Sequence, residues 1–285
     1  MEAISVHFVV NKEWLVEQLH NKDVKIVDCR FALGNPTEGE QLYQESHIPG
    51  AFYFDLEKQL SAPVSVHGGR HPLPNMELLK REIEKVGIDN SKTVVVYDGG
   101  EGQFASRFWW LLTYLGHNKV YVLNEGFRGW GEAGYPTSKE VPEVESATFE
   151  VHIRESMLAS YEEIKDIVDQ KKQSPILIDS RDESRYLGEV EPIDRIAGHI
   201  PGAVNKCWAE SLEQGVFKNS EEQKKRFADL NNEDEIIVYC GSGVTATPNF
   251  IALKMAGFKN VRLYAGSYSD WVSYEENPVV KGKEE

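Results

Sequence analysis

The strongest constraint on the fold of this chain is an internal duplication. Four short patterns occur twice in the same order: an apolar stretch ending in Asp-x-Arg, the pentapeptide His-Ile-Pro-Gly-Ala, an apolar stretch ending in Val-Tyr, and an isolated tryptophan. The copies lie at residues 28–30 and 179–181, 47–51 and 199–203, 95–98 and 237–240, and at Trp130 and Trp271. Because each pair is separated by nearly the same length of chain, the patterns indicate two copies of one domain.

Within each copy, apolar stretches rich in β-branched residues alternate with stretches of helical periodicity. This alternation predicts an α/β fold in which each half forms a parallel sheet flanked by helices on both faces. Strands are expected at residues 24–30, 93–98, 120–123, 176–181 and 236–239, helices at residues 11–19, 78–86, 104–115 and 244–256, and turns at residues 99–102 and 126–130.

The length of 285 residues is sufficient for two domains. The acidic, proline-containing stretch 137–150 is the expected linker. It separates an N-terminal domain of residues 1–136 from a C-terminal domain of residues 151–285. The second of these is the one expected to carry chemistry, for the reason given below.

Charge and hydropathy exclude several kinds of partner. The formal net charge of −15 would repel the phosphates of nucleic acid. The longest apolar run, residues 108–112, is much shorter than the roughly 20 residues that a membrane span needs. Residues 1–10 contain no basic and apolar leader. We therefore expect neither nucleic acid nor a membrane as partner.

The cysteines and histidines bear on redox setting and cofactors. Cys29, Cys207 and Cys240 form no paired framework and no Cys-x-x-Cys, which predicts a reducing, cytoplasmic location. The eight histidines are scattered without the spacing of metal ligands. We predict no metal and no other cofactor.

The stretch from residue 236 to residue 246 carries the clearest chemical signal. A buried strand ends at Cys240, and the turn Gly241-Ser242-Gly243 leads through Val244 and Thr245 into a helix. Unpaired backbone N–H groups and the positive end of a helix favour an anion, so the cysteine is expected to hold a thiolate, with residues 241–245 binding the substrate. The alternative is a buried cysteine that acts as a small apolar residue. The two glycines favour the functional interpretation, because a backbone without Cβ atoms can approach a small ligand closely.

The first half differs at the corresponding position. Asp98 stands where the second half has Cys240, so only the second half can form a covalent bond to sulfur there. A carboxylate among N–H groups would act as a built-in anion that stabilises an inactive copy of the site.

Several charged residues near these motifs are further candidates. Arg185 follows the strand ending at residue 181 and has no clear counterpart in the first half, and it is expected to bind a carboxylate or sulfur oxyanion. Arg195 is a weaker candidate, for which a solvated loop charge is the favoured interpretation. The two copies of His-Ile-Pro-Gly-Ala and of Asp-x-Arg are interpreted as structural, since the copy without the cysteine carries them too. A cysteine phosphatase needs an arginine after its cysteine to bind the phosphoryl oxygens. This chain has Ala246 at that position, so it lacks the group that phosphatase chemistry requires.

Taken together, these motifs resemble the two-domain rhodanese family of sulfurtransferases over nearly the whole chain. The resemblance implies two tandem rhodanese-like domains and a persulfide on Cys240, which would carry a sulfane sulfur from a donor to a thiophilic acceptor in ping-pong order. The loop resembles that of the 3-mercaptopyruvate branch, which implies that Arg185 holds the donor carboxylate and Ser242 relays a proton. Glu57 and His71 are the matching first-domain residues expected to face the site.

Three alternatives stay open at this point. The thiosulfate-preferring branch has two cationic side chains after its cysteine, which this loop lacks, but the match of Arg195 to the second substrate arginine of the family requires a gap, so thiosulfate remains a candidate donor. A non-catalytic rhodanese-like binding module and a phosphatase are the others. The expected partners are a small-molecule sulfur donor and a thiophilic acceptor, such as cyanide, a thiol or thioredoxin.

Overall fold

The computed structural model describes residues 8–284, and they pack into two compact units. The first unit contains the chain up to Ser61, Pro74–Arg154 and Gln214–Phe217. The second contains Ala62–Leu73, Glu155–Glu213 and the chain from Lys218 onward. Ala62–Leu73, from the N-terminal half of the chain, therefore packs in the second unit. Gln214–Phe217, from the C-terminal half, packs in the first. The linear division into residues 1–136, 137–150 and 151–285 stays a prediction.

The first unit is built on a parallel five-stranded sheet with the strand order β1-β5-β4-β2-β3. Its elements are β1 (Val9–Val10), α1 (Lys12–Glu17), β2 (Val24–Asp28), α2 (Glu38–Glu45), β3 (Ala51–Tyr53), α3 (Met76–Lys85), β4 (Thr93–Tyr97), α4 (Gln103–Tyr114), β5 (Val120–Leu123) and α5 (Gly126–Glu132). Strands β2 and β4 are paired from Val24 opposite Thr93 to Asp28 opposite Tyr97.

The first core forms where β-branched strand residues meet flanking helices. Ile26 and Val95 of the sheet are buried together with Leu15 of α1 and Trp130 of α5. The central helix α4 is buried on nearly all sides, which is the pattern of a helix inside a layered α/β domain.

The second unit repeats this arrangement. Its parallel sheet has the order β6-β12-β11-β7-β8, which is the order of the first sheet once equivalent strands are matched. Along the chain from residue 155 the elements are a 3₁₀ turn (Glu155–Met157), β6 (Leu158–Ala159), α6 (Tyr161–Asp169), β7 (Ile176–Asp179), α7 (Glu183–Tyr186), β8 (Val204–Asn205), a 3₁₀ turn (Trp208–Ser211), β9 (Leu212–Glu213), β10 (Val216–Phe217, which belongs to the first unit), α8 (Ser220–Arg226), β11 (Glu235–Tyr239), α9 (Ala246–Ala256), β12 (Asn260–Tyr264) and α10 (Ser267–Trp271). The α/β fold predicted from the duplicated motifs is confirmed.

The sheet topology also determines where the second unit's loops gather. The central strands β7 and β11 are hydrogen-bonded neighbours and run parallel, with Tyr239 opposite Asp179. Their carboxyl ends therefore lie side by side, which is where open α/β sheets bind ligands. The loops that follow, beginning at Ser180 and Cys240, come from this edge.

Two local predictions need correction. Residues 126–130, expected to be a turn, form the beginning of helix α5, and residues 267–271 form the equivalent helix α10. Three glycines in residues 126–131 conceal this helix in the sequence, yet Trp130 is anchored in the core and stabilises it. The helix expected from residue 244 begins at Ala246, because residues 241–245 are used for the loop.

The predicted linker has no regular secondary structure. Within the first unit, the backbone of Ser138 pairs with that of His47, and the Ala147 N–H donates to the Glu84 carbonyl at 2.9 Å. None of the helices in residues 8–284 combines the length and apolar character that a membrane crossing requires. The predicted absence of a leader concerns residues 1–10, of which residues 1–7 lie outside the described part of the chain.

Candidate active site

The backbone of Cys240 is held between two elements of the second unit. Cys240 directly follows β11, and its N–H donates to the Ser267 hydroxyl at 3.1 Å. Its carbonyl accepts the Tyr268 N–H at 2.9 Å, and the Gly241 carbonyl accepts the Ser269 N–H at 2.9 Å. The first residues of α10 therefore fix the loop on one side, while the strand fixes it on the other.

The Cys240 sulfur is enclosed by its own loop. The Gly243 N–H donates to Sγ at 3.2 Å, and only 1% of Cys240 is exposed. Gly243 has φ +76, a left-handed conformation that favours glycine. The cysteine is buried, but its surroundings include N–H groups and charged side chains as well as hydrocarbon.

Ser242 and His71 form a buried polar pair beside the cysteine. His71 Nδ1 lies 2.8 Å from the Ser242 hydroxyl oxygen, and the two residues are only 6% and 7% exposed. His71 comes from Ala62–Leu73, the segment of the N-terminal half that packs into the second unit. The structure therefore brings together two residues expected at the site that lie far apart in the sequence.

The segment carrying His71 is anchored to α10 through its backbone. The Gly68 N–H donates to Asp270 Oδ1 at 2.7 Å, and the Arg70 N–H donates to the Ser269 hydroxyl at 3.1 Å. The His67 ring stacks on Tyr274 with 3.8 Å between ring centroids. The helix that fixes the cysteine loop thus fixes this segment too.

Arg185 lies beside the loop, as expected, but it is engaged by two carboxylates. It donates to Glu191 through Nε at 3.2 Å and Nη2 at 2.7 Å, and to Asp194 through Nη2 at 3.0 Å. A methyl group built on Gly241 would lie 3.6 Å from Arg185 Nη1. The guanidinium group therefore lies beside the loop, while Glu191 and Asp194 hold it in position.

A second arginine at the loop was not identified from the sequence. A methyl group built on Gly241 would lie 2.8 Å from Arg70 Nη2, and Arg70 Nη1 forms an ion pair with Asp194. Burial lowers the pKa of the Arg70 guanidinium, Cys240 opposes this effect, and the neighbouring Arg185 adds to it. The sequence signal for Arg70 is its position directly before His71, in Gly69-Arg70-His71.

Behind Arg185, the Asp-x-Arg motif of β7 supports the same network. Arg181 donates to Asp179 at 2.6 Å, to the Gly198 carbonyl at 2.7 Å and to Glu191 at 3.1 Å. Burial alone lowers the pKa of Arg181, but the charge and hydrogen bonds of Asp179 raise it above the usual value. The motif braces the loop, as expected, and it also orients the carboxylate that holds Arg185.

The first unit contains the counterpart of the cysteine loop with Asp98 in place. The Asp98 carboxylate accepts four backbone N–H groups, from Gly100 at 3.0 Å, Gly102 at 2.9 Å, Phe104 at 3.0 Å and Ala105 at 3.2 Å. Burial raises the pKa of Asp98, while these N–H bonds oppose it. The carboxylate fills its N–H cradle, which agrees with a built-in anion.

The remaining candidates are exposed side chains or members of the loop. Glu57 belongs to the first unit, is exposed, and donates its N–H to Asp55. The Arg195 side chain is 56% exposed and donates to the Val272 carbonyl at 2.7 Å, which fits a solvated loop charge. Val244 and Thr245 complete the loop, where the Val244 carbonyl accepts the Thr247 N–H at 3.0 Å.

The two repeated histidines are structural. His47 Nδ1 lies 2.7 Å from the Tyr43 carbonyl oxygen, and His199 Nδ1 lies 2.7 Å from the Tyr186 carbonyl oxygen. Each ring also stacks on that same tyrosine, with centroid distances of 4.0 Å and 3.8 Å. Both histidines hold the loop before a short strand, as expected from their occurrence in both halves.

Comparison with known proteins gives one consistent family. The family described as "Rhodanese-like domain" matches residues 11–133 and again residues 160–274. The chain is 40% identical over 280 residues to the "Probable 3-mercaptopyruvate sulfurtransferase" of Pseudomonas aeruginosa, covering 96% of this chain and 98% of that protein. It is 33% identical over 291 residues to the thiosulfate sulfurtransferase of Rattus norvegicus, covering 96% of each.

A solved structure extends the likeness to the fold. The crystal structure of SseA from Escherichia coli, described as a 3-mercaptopyruvate sulfotransferase with the rhodanese fold, superimposes with a TM-score of 0.81 at 31% identity. The match covers 92% of this chain and 99% of SseA. The resemblance inferred from the motifs is confirmed in sequence and in fold.

Proposed function

Since this chain belongs to the rhodanese family and is a sulfurtransferase that acts on small-molecule sulfur donors and acceptors, we propose that its donor is 3-mercaptopyruvate and its sulfur carrier is Cys240. The observation that carries the proposal is the cluster of Cys240, Ser242, His71 and Arg185 within one unit. It combines a nucleophile, a proton relay and a carboxylate-binding group at the carboxyl ends of β7 and β11.

In the first half-reaction, the Cys240 thiolate attacks the thiol sulfur of 3-mercaptopyruvate. The new S–S bond forms as the C–S bond breaks, and its electron pair passes to the carbon as the pyruvate enolate. The donor thiol proton is transferred to that carbon, which leaves a deprotonated persulfide and pyruvate. Arg185 binds the donor carboxylate through the guanidinium face beside Gly241.

Ser242 and His71 are placed to move this proton. Because the Ser242 hydroxyl lies 2.8 Å from His71 Nδ1, the imidazole can hold the hydroxyl in one orientation and exchange a proton with it. The loop N–H groups stabilise negative charge on sulfur in the persulfide state, and the Gly243 N–H already contacts Sγ.

In the second half-reaction, a thiophilic acceptor attacks the outer sulfur of the persulfide. With cyanide, the S–S bond breaks, thiocyanate leaves and the Cys240 thiolate is restored. We propose a thiol or reduced thioredoxin as the acceptor in a reducing, cytoplasmic setting, because Cys29, Cys207 and Cys240 are all free thiols.

The proposal is tested by mass spectrometry of the intact chain and of its peptides. After incubation with 3-mercaptopyruvate, we expect the mass of one sulfur atom on the peptide containing Cys240, removable by cyanide, together with release of pyruvate. Cys240→Ala should abolish both. A folded wild-type protein that forms neither a persulfide nor thiocyanate would instead support a non-catalytic binding module.

Ser242→Ala separates the proton relay from donor binding. General acid–base groups typically contribute 10²–10⁴-fold, so we expect kcat for pyruvate formation to fall within about that range, with KM little changed. Ser273→Ala is a suitable control, since Ser273 contacts the same segment through His67. An unchanged kcat in Ser242→Ala would remove this residue from the proposed mechanism.

A further inference from the structure

The first unit has a cleft at the end of its sheet opposite the Asp98 loop. Its volume is about 780 Å³, which is within the range of pockets that hold small molecules. The strands of this sheet run parallel, and the cleft lies at their amino ends, where the loops before β2, β3 and β4 meet residues 142–147. The groups of the proposed sulfurtransferase site belong to the second unit, so the cleft is a separate feature.

Three lysines line this cleft, although the chain as a whole carries a formal net charge of −15. They are Lys22, Lys25 and Lys92. The duplication provides a direct comparison. When the paired strands of the two sheets are matched, the corresponding positions of the second half are occupied by Gln173, Ile176 and Asp234. Lysine at these three positions is thus particular to the first half.

Lys25 departs from the usual composition of its strand. It is the second residue of β2, which is paired with a strand on each side. Such strands of parallel sheets consist mainly of apolar residues, and the equivalent residue of β7, Ile176, is apolar. Burial lowers the pKa of the Lys25 ammonium, and the charge of Lys92 adds to this effect while that of Asp89 opposes it. A residue that breaks the pattern of its element at such a cost is expected to serve a function.

The ammonium group of Lys25 has no hydrogen-bond or ion-pair partner among residues 8–284. Lys92, by contrast, pairs with Asp23 at 2.7 Å. A methyl group built on Gly87 would lie 2.9 Å from Lys25 Nζ and 2.7 Å from Val144 Cγ2, so the ammonium lies against the Gly87 backbone, beside residues 142–147. An anion that enters the cleft would supply the partner that this partly buried charge lacks.

Apolar side chains form much of the remaining lining. They belong to Leu19, Val24, Phe52 and Val144, from the loop before β2, from β2 and β3, and from the stretch that follows the first domain's last helix. Removing a hydrocarbon chain from water against these groups favours binding. One unpaired ammonium beside apolar walls therefore suits a ligand with one negative charge and a hydrocarbon body.

The other titratable residues of the lining limit the charge of that ligand. They are His20, Asp89, Glu143 and Glu145. His20 and the two glutamates are exposed, and Asp89 is bonded to the Ser91 N–H at 2.8 Å. Three carboxylates at the rim would repel a ligand with several negative charges, such as a nucleotide, more strongly than a monoanion.

We propose that this cleft is a binding site for a small monocarboxylate with an apolar chain, whose carboxylate pairs with Lys25 and whose chain packs against Phe52 and Val144. The site is independent of sulfur transfer at Cys240. Its test therefore succeeds or fails separately from that of the proposed function.

The experiment titrates hexanoate into the isotope-labelled full chain and follows the backbone amide signals by NMR. In the wild type we expect saturable shifts in the signals of the cleft lining, residues 19–25, 87 and 142–147. A hydrogen bond to a charged group changes a dissociation constant by about ten- to a hundredfold, so Lys25→Ile should weaken hexanoate binding at least about tenfold. Hexanol, which has the same chain without the charge, should bind the wild type more weakly by a similar factor.

Lys58→Ile is the matched control. Lys58 pairs with Glu40 in the same unit and does not line the cleft, so this variant removes the same charge and should keep the wild-type dissociation constant. The dispersion of the amide spectrum shows whether each variant is folded. Lys25→Met, which keeps the length of the side chain without its charge, replaces Lys25→Ile if the isoleucine variant does not fold.

Several outcomes would overturn the proposal. Shifts confined to residues 241–245 would place the carboxylate at the cysteine loop instead of the cleft. Absence of saturable binding to the folded wild type, equal affinity for hexanoate and hexanol, or wild-type affinity in the folded Lys25 variant would each contradict it as well.

Chemical modification gives a second readout on Lys25 itself. Acetic anhydride acetylates amines, and peptide mass spectrometry reports the rate at each lysine separately. At a hexanoate concentration about ten times the dissociation constant, roughly a tenth of the protein is free, so acetylation of Lys25 should slow about tenfold while that of Lys58 stays unchanged. Equal rates at Lys25 with and without hexanoate would show that the carboxylate does not pair with this residue.

Discussion

Two glycines flank Ser242, and they are required for different physical reasons. Gly243 has φ +76, and a methyl group there would overlap the carbonyl oxygen of Ala265, which is fixed backbone. Gly241 has no such conformation, and its added methyl group would meet the ends of two side chains, Arg70 at 2.8 Å and Arg185 at 3.5 Å. Gly241 therefore leaves room for the charged side chains, whereas Gly243 permits the turn itself.

This difference predicts opposite phenotypes for the two alanine variants. Gly243→Ala should lower the free energy of unfolding by about 2–4 kcal/mol, because a left-handed non-glycine residue costs roughly 1–2 kcal/mol and the overlap adds to it. Gly241→Ala should leave stability within about 1 kcal/mol but lower kcat/KM, because Arg70 must move aside. Urea unfolding and steady-state kinetics measure the two effects, and equal destabilisation would contradict the assignment.

The other cysteines provide an internal control for the site. Burial raises the pKa of Cys207 to about 11, with the adjacent Asp182 adding to it, and burial raises that of Cys29 well above the usual value. Both remain neutral thiols from pH 7 to 9, and the neutral thiol is a weak nucleophile.

We therefore expect the donor-derived sulfur on Cys240 alone across that pH range. Cys207→Ala should keep wild-type turnover, and Cys29 should carry no added sulfur in peptide mass spectra. As the pH approaches 11, Cys207 becomes ionised, and labelling there should begin to rise. Sulfur found on Cys207 at pH 7 would show that the reactive thiol has been misassigned.

At the scale of elements, the same short helix holds the same loop in both units. In the second unit, Tyr268 N donates to the Cys240 carbonyl, and in the first, Phe127 N donates to the Asp98 carbonyl at 2.8 Å. Helix α10 has the additional task of anchoring residues 62–73 through Ser269 and Asp270. The geometry shared by both units is thus used in the second unit to hold a segment that carries His71 and Arg70 as well.

The Asp98 cradle predicts a measurable contribution to the stability of the first unit. In Asp98→Asn, the amide group must direct its NH₂ toward backbone N–H donors, which leaves about two of the four donors unpaired. Each buried donor left unpaired costs about 1–3 kcal/mol, so the unfolding free energy should fall by about 2–5 kcal/mol at pH 7.

The pH dependence of this difference has a defined sign. Because burial raises the pKa of Asp98 above its usual 3.8, the folded chain keeps the proton at pH values where the unfolded chain has lost it. The wild-type advantage over Asp98→Asn should therefore shrink as the pH rises above about 3.8 through the folded-state pKa. Urea unfolding at several pH values checks this, and an advantage that grows over that interval would contradict it.

At the scale of the whole molecule, the two halves have similar sheets, but only the second has a cysteine in this loop. Where the second loop has Ser242, the first has Gly100, followed by the negatively charged Glu101. Residues 62–73, which come from the N-terminal half of the chain, pack in the second unit. The candidate site therefore includes residues from the half that lacks the cysteine.

A cysteine transplanted into the first loop should accordingly stay inactive. In a chain combining Asp98→Cys with Cys240→Ala, we expect no thiocyanate formation above that of Cys240→Ala alone, because Glu101 repels an anionic donor and Gly100 provides no hydroxyl. Asp98→Cys alone, with Cys240 intact, is the control for folding and assay. Turnover in the double variant would show that the cysteine and its N–H groups suffice.

The sequence by itself determined the duplicated α/β fold, the position of the candidate cysteine and the presence of Asp98 at the corresponding position of the first half. These features are local: β-branched runs form strands, a Gly-Ser-Gly turn follows Cys240, and the motifs occur twice in one order. Arg185 and His71, which lie beside this loop, were also predicted as site residues, the first from its place after the strand and the second from the family resemblance.

Only the tertiary structure decided which distant residues surround that cysteine. Arg70 lies far from Cys240 in the chain, and it reaches Gly241 because residues 62–73 pack on α10 in the second unit. Helix α5 was concealed by its glycines, because the burial of Trp130 stabilises it and local propensity does not. Side-chain neighbours are set by the packing of whole elements, and no short stretch of sequence contains that information.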